Sequence, residues 1–450
     1  MASMAAVLER FKEDPLQAIQ ADLVEATCRQ QGYQWRERKL SPAVTIGLFI
    51  QQILQANACC QTVRHLARQE FTGAAWCQAR ARLPLAVYQS LLAKVCPSRP
   101  SYRWRGHRTF YVDGTGFSLW DTPELRKLFG LPANVRAGCG FPVGHLLVLF
   151  EAGTGLLQQA IPAPAQRGDL ADVPALLEHL GAGDVLIGDE AFGGYVVLAL
   201  LRARGAHGLF PLPHNRIVDF TPHRPWSREG RADGPPGVPH SRWLQSLGWQ
   251  DQRVEYYKPL HRPAWLPADL WEQLPASIPV RELRRTVPHP ECGPRTLTMV
   301  TTRTEPKNYP ARALTELRGT RWQVETDLAD LKTTMKMDTL HCRTPAGVAK
   351  ELCVFALVYN LVRQVMREAA RRQQVPPRRI SFADALHWLQ FVRPGDPLPR
   401  LVINPVRPYR IEPRVKKRRD KEFPYMTRPR AVCRRRAIQR ARARRSHSLT

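Results

Sequence analysis

At Thr109 the spacing of apolar residues changes from three and four to two, and no other feature constrains the fold of this chain as much. Upstream, "PLQAIQADLVEATCRQQ" and "PAVTIGLFIQQILQA" repeat apolar residues at helical intervals. Downstream, "FYVDGTGFSLW" reads as a buried strand ending in a Gly-flanked acid, Asp113. "VGHLLVLFEAGTG" and "LLQQAIPAP" follow as a hairpin around Gly153 and Gly155. "DLADVPALLEHL" reads as an amphipathic helix, and "GDVLIGDEAFGG" as another strand, ending in Asp189. "YVVLALLRARG" is then a helix and "HGLFPLP" a fifth strand. The order β-β-β-α-β-α-β predicts a mixed sheet with the first strand central and the fourth beside it.

Charge narrows the partner. The 450 residues carry 67 Lys and Arg against 39 Asp and Glu, a net +28. A polyanion is expected, DNA or RNA before an anionic membrane. No run of about 18 apolar residues reads as a membrane span, and the N-terminus does not read as a signal peptide, so a cytoplasmic protein is expected. From Arg407 to Thr450 there are 17 Lys or Arg and three acids, half of the chain's excess charge. That run reads as a disordered, solvated tail that binds phosphate without regard to sequence. Ten cysteines are scattered with no C-x-x-C, and they read as reduced and structural.

The pattern divides the chain at 1–105, 106–213, 214–302, 303–372, 373–406 and 407–450. The first stretch is expected to be a helical DNA-binding domain. In it "TVRHLARQE", "FTG" and "AAWCQARARL" fit a helix-turn-helix or two ordinary packed helices. The second and fourth are the two parts of an α/β core. The third is rich in Pro, Arg and Trp and reads as a β-rich insertion. The fourth holds a charged helix and the long apolar helix "GVAKELCVFALVYNLVRQVMREAA". The fifth is a helical segment, and the last is the basic tail.

The charged helix lies within "RGTRWQVETDLADLKTTMKMD". Arg321 precedes Glu325 by four residues and Lys332 follows it by seven, so a regular helix sets all three on one face. This is either a solvated ion-pair ladder or a site where Glu holds a metal and the cations hold phosphate. Asp113 and Asp189 favour the second reading, because strand ends expose a side chain on a rigid backbone. Three converging carboxylates repel, and either one takes up a proton or divalent cations neutralise them. Hard oxygen donors suit Mg²⁺.

These segments resemble the DDE transposases of bacterial insertion sequences, in the group with the Y-x2-R-x3-E-x6-K signature. The resemblance runs from about residue 108 to 372, and "RWQVE" followed by six residues and then Lys is its most specific part. It implies an RNase H-like mixed sheet with flanking helices and a β-rich insertion before the Glu helix. It implies a catalytic, metal-binding triad of Asp113, Asp189 and Glu325 holding two Mg²⁺, with Mn²⁺ as a substitute. Arg321 and Lys332 would bind DNA at the transposon end, and Arg318 stands where the signature has Tyr. The activity implied is binding of terminal inverted repeats, hydrolytic cleavage, and joining of the 3′-OH to target DNA, by a homodimer in a synaptic complex. A nuclease that cuts without joining and a silent DNA-binding protein are the alternatives. Leu297 falls where some relatives stack a flipped base on Trp, which leaves Trp265 and Trp271 as substitutes or packing anchors. Asp121 and Asp169 read as capping or turn residues, and Glu190 has no assigned role.

Overall fold

The structure is a computed structural model, and it describes residues 21–36, 38–67, 70–95, 102–132, 140–213, 215–228, 237–287, 294–391, 397–406 and 428–447. Five helices come first: α1 (Ala21–Gln30), α2 (Pro42–Leu54), α3 (Cys60–Leu66), α4 (Gly73–Arg82) and α5 (Leu85–Val95). Side-chain caps start two of them, Ser41 on α2 and Thr72 on α4. The strands β1 (Thr109–Ser118), β2 (Val143–Glu151), β3 (Leu157–Pro164), β4 (Val185–Ile187) and β5 (His207–Pro211) follow. Among them lie α6 (Pro123–Phe129), α7 (Val173–Leu177) and α8 (Tyr195–Ala203).

One sheet of nine strands runs β3-β2-β1-β4-β5-β9-β8-β7-β6, where β6 is Ser241–Gly248, β7 Asp251–Tyr257, β8 Ser277–Val287 and β9 Arg295–Thr301. As the apolar pattern predicted, β1 stands between β2 and β4. It is antiparallel to β2 and parallel to β4, which is parallel to β5. The insertion strands do not form a separate body. β9 pairs antiparallel with β5 through Leu209↔Thr301, so the insertion extends the same sheet. The fold is thus mixed α/β with a mostly antiparallel sheet.

The remaining helices are α9 (Ala268–Gln273), α10 (Ala311–Gly319), α11 (Trp322–Ala329), α12 (Pro345–Gln373), α13 (Phe382–Phe391) and α14 (Arg430–His447). Alternate residues of β1 feed two cores. Tyr111 and Phe117 join the larger one, with residues of α1 to α5 and of α10 to α13; Phe110 and Val112 join the smaller one, with α7, α8 and the insertion. The N-terminal helices therefore have no core of their own and share one with α12. Asn57 also donates to buried Glu351 at 2.7 Å. α12 is long and apolar enough to cross a membrane by composition, but most of it is buried inside the protein.

Two local expectations change. "DLADVPALLEHL" begins as a 3₁₀ turn over Asp169–Asp172, and its α-helix is only five residues, Val173–Leu177. Part of the basic tail is ordered, since α14 is a helix of 18 residues rich in Arg and Ala, both strong helix formers. Residues 407–427 lie outside the described residues.

Candidate active site

Backbone register sets the two acids on neighbouring strands, but Asp113 does not end its strand as expected: pairing with β2 carries β1 on to Ser118. β1 and β4 pair in parallel as far as Tyr111↔Ile187, and Asp113 and Asp189 each follow two residues later. With a period of two, both start from the face that carries Tyr111 and Ile187, the face of the larger core. Asp189 has already left the strand. Its Oδ1 accepts the Ala191 N–H at 2.9 Å and caps the 3₁₀ turn Glu190–Gly193. Glu190 opens that turn with an exposed side chain.

The charged helix is fastened over β1 at two points. The Tyr111 hydroxyl donates to Thr320 Oγ1 at 2.7 Å and lies 3.2 Å from Gln323 Oε1. Beyond the helix, Ser118 N–H donates to the Asp338 carbonyl at 2.8 Å, and Leu340 N–H returns a bond to Ser118 at 3.1 Å. Asp113 lies between these fastenings. Arg321 sits at the cap of α11 and reaches Asp113 Oδ2 at 3.0 Å through Nη2, while its Nη1 is 3.5 Å from Glu325 Oε1. One guanidinium thus joins two of the three acids. Arg318, in the last turn of α10, lies in the field of Asp189 and Glu325. The Nε atoms of Arg318 and Arg321 are both buried without an acceptor among the described residues.

Burial pushes the Asp113 carboxyl above the usual carboxylate range. Arg321 opposes that shift, and Asp189 and Asp169 add to it by repulsion. All the donors are carboxylate oxygens, which suit a hard divalent cation. Among the described residues no three acidic, His or Cys side chains are gathered as tightly as metal ligands. The Arg321 guanidinium lies between Asp113 and Glu325 and serves as the cation there.

The column of Arg321, Glu325 and Lys332 is not one regular helix. α11 ends at Ala329, and Asp330–Thr334 is a π turn, with Met335 N–H bonded to the Asp330 carbonyl at 2.9 Å. The wider turn follows from its anchors: Leu331 and Met335 are buried in the core, and Asp330 pairs with Arg363 at 3.5 Å. Lys332 lies in that turn, half-buried, and forms no hydrogen bond or ion pair with the described residues. A π turn within a helix often marks a functional site.

One pair was not anticipated. His145 Nε2 and Asp169 Oδ1 are 2.7 Å apart beside Gly114. A Cβ at Gly114 would come within 2.5 Å of both, so the glycine next to Asp113 makes room for them. "VDGTG" was the available signal, since glycine inside a strand often marks such a close approach. Asp169 does open a 3₁₀ turn, but it also adds charge beside Asp113. Asp121 is not a cap: Thr122 caps α6, and Asp121 forms a two-pronged pair with Arg126. Trp271 packs on the smaller core, with Lys258 Nζ 4.5 Å from its ring centroid. Trp265 lines a cleft of about 680 Å³ with Arg167, Asp169 and Ala191. Leu297 is a β9 residue opposite Arg285.

Comparison with known proteins shows the family. The family model described as "Transposase DDE domain" matches residues 104–361, more than half of the chain. The chain is 25% identical over 373 residues to the transposase InsG of insertion sequence element IS4 from Escherichia coli K12, covering 77% of each chain. It is 26% identical over 142 residues to InsZ of the same strain, covering 30% of this chain and 48% of that one. A cryo-EM structure of the piggyBac transposase synaptic complex with hairpin DNA aligns with TM-score 0.43 and 9% identity, over 87% of this chain and 80% of that one. With a transposase domain spanning both aspartates and the Glu helix, and an IS4 transposase alike over most of its length, this chain belongs to the DDE transposases, enzymes that cut and transfer DNA.

Proposed function

We propose that Asp113, Asp189 and Glu325 are the catalytic carboxylates and that together they hold two Mg²⁺ ions. The observation that carries this reading is the shared register: both aspartates lie two residues beyond Tyr111↔Ile187, under the helix that presents Glu325. Bound there, the ions would activate the attacking oxygen and stabilise the leaving one. The three carboxylates supply the hard donors, and the burial that pushes the Asp113 carboxyl up is a cost that a bound cation would offset. Arg318 and Arg321 would hold a phosphate of the transposon end, supported by their two buried Nε donors without acceptors. Lys332 adds a point charge to the same DNA.

The first five strands read as an RNase H-like core, its two parts being residues 106–213 and 303–372, with 214–302 inserted between them. Residues 1–105 would bind DNA, with terminal inverted repeats as the specific partner and target DNA as the second. Within that region Arg80 of α4 is turned inward, over Phe49 and Trp76, so base contacts would come from other side chains. The chain would act in the cytoplasm, as a homodimer when two ends are brought together. Helix α14 adds phosphate contacts of no sequence preference.

Cleavage and joining of DNA that carries the element's own ends, with and without Mg²⁺, tests the proposal. Both activities are expected only with the metal. Joining without cleavage-site specificity, or activity undiminished in a chelator, would refute it.

A further inference from the structure

Four cysteines, two of them adjacent in sequence, line one cavity of about 770 Å³ between the N-terminal helices and the segment after the Glu helix: Cys59, Cys60, Cys77 and Cys342. Two of them touch. Cys60 opens α3, Cys77 lies within α4, and their sulfurs are 3.6 Å apart. Arg80 Nη2 stands 3.3 Å from the Cys60 sulfur and 3.8 Å from that of Cys77. Gln52 Oε1 fixes the same guanidinium at 3.3 Å, and it stacks 4.7 Å from the Phe49 ring and 5.3 Å from that of Trp76.

The thiolate is the form that attacks peroxides and disulfides, and Arg80 sets a fixed cation beside both sulfurs. That charge opposes a metal cation at the same sulfurs. The two thiols differ in access, Cys77 being exposed and Cys60 partly buried. Burial pushes the Cys60 thiol up, and Arg80 pulls it back. An exposed thiol with a shielded one in contact is the arrangement of an attacking and a resolving cysteine.

We propose that Cys60 and Cys77 form a reversible redox pair, oxidised by a peroxide or a small-molecule disulfide to a bond that fastens α3 to α4. With hydrogen peroxide, the Cys77 sulfur attacks one oxygen and the O–O bond breaks. Cys77 becomes a sulfenic acid, and the departing hydroxide takes the thiol proton and leaves as water. The Cys60 sulfur then attacks the Cys77 sulfur, the S–O bond breaks, and a second water leaves with the Cys60 proton. The peroxide gains two electrons and the sulfur pair loses two. Closing the bond brings the sulfurs from 3.6 Å to about 2.05 Å.

The test uses the full-length reduced protein. It is treated with hydrogen peroxide, its remaining thiols are alkylated, and its peptides are mapped by mass spectrometry. A peptide pair joined through Cys60 and Cys77 is expected, two hydrogens lighter than its parts and released by dithiothreitol. Cys60→Ser and Cys77→Ser should each lose it, and Cys59→Ser should keep it. Cys59 is the competitor, because it is exposed and a hydrogen bond with Thr62 lowers its thiol. A cross-link through Cys59, or Cys60 and Cys77 alkylated as fully after oxidation as before, would overturn the proposal. The wild-type map decides this by itself if a serine variant misfolds.

Discussion

The segment from Arg321 to Thr334 carries two sets of charges, and they are built in opposite ways. On one side Asp327 is fully buried, held by Arg363 and by Arg378 at 3.2 Å. Arg363 is itself buried, and its Nε donates to the Tyr359 hydroxyl at 2.8 Å. On the other side Arg321 and Glu325 are 3.5 Å apart, the Glu325 side chain is 35% exposed, and the Arg321 Nε has no acceptor. The first set is filled and closed, and it locks the segment to α12. The second is more exposed, and among the described residues it keeps one buried donor, the Arg321 Nε, without an acceptor. An ion pair that serves the fold is completed by the fold, whereas one that serves a substrate waits for it.

Breaking the closed set should have the largest effect. Arg363→Ala leaves Asp327 buried beside Arg378 alone, and losing one partner of a buried pair costs about 3–5 kcal/mol. Urea unfolding should show a loss of that size, with DNA cleavage falling only as the folded fraction falls. A loss below about 1 kcal/mol, as for surface pairs, would erase the contrast.

The open set should answer in activity and not in stability. Arg321→Ala and Lys332→Ala should each lower cleavage at specific ends about ten- to a hundredfold, as expected of charge-assisted contacts of about 1.5–3 kcal/mol. Binding to random DNA, carried by the wider basic surface, should barely change. Equal losses in both assays would make the two residues ordinary members of that surface. Lys332 is the sharper case, since the π turn takes it off the regular helical column that led to its selection.

A separate effect is expected from pH. Burial, ahead of the opposing Arg363, pushes the Asp330 carboxyl up to about 7. Its unfolded value is near 3.9, so the folded state binds the extra proton between these values. Its contribution to stability is present below about pH 4 and is lost as pH rises through about 7. Asp330→Asn should therefore gain stability relative to the wild type as pH goes from 4 to 8, in thermal melts at each pH. A constant difference would mean that Asp330 ionises in the fold as it does in the unfolded chain.

Much of this was legible in the sequence, and the rest failed for physical reasons. The period-two runs carried both acids, and strand order set them on neighbouring strands, but only Asp189 lies past a strand end, because β1 runs on beyond Asp113 to Ser118. What local pattern could not reach was long-range pairing. That β9 would dock on β5, that α1–α5 would share a core with α12, and that Asp169 would meet His145 beside Gly114 all depend on contacts distant in sequence. The π turn was hidden for a similar reason. Its cause is the pull of Arg363 on Asp330, and Arg363 lies 33 residues further on. The basic tail was read from charge alone, which is blind to the helix propensity of Arg and Ala in α14.

The most direct test of the triad compares Asp113→Asn, Asp189→Asn and Glu325→Gln with the wild type for Mg²⁺-dependent cleavage of native-end DNA, with a thermal melt of each. All three should lose cleavage while melting no lower than the wild type, because each substitution removes charge from a crowded acidic site and leaves the closed Asp327–Arg363 set intact. Near-normal cleavage by any one of them would contradict the assignment at that position, and a loss matched by unfolding would show that the open set serves the fold after all.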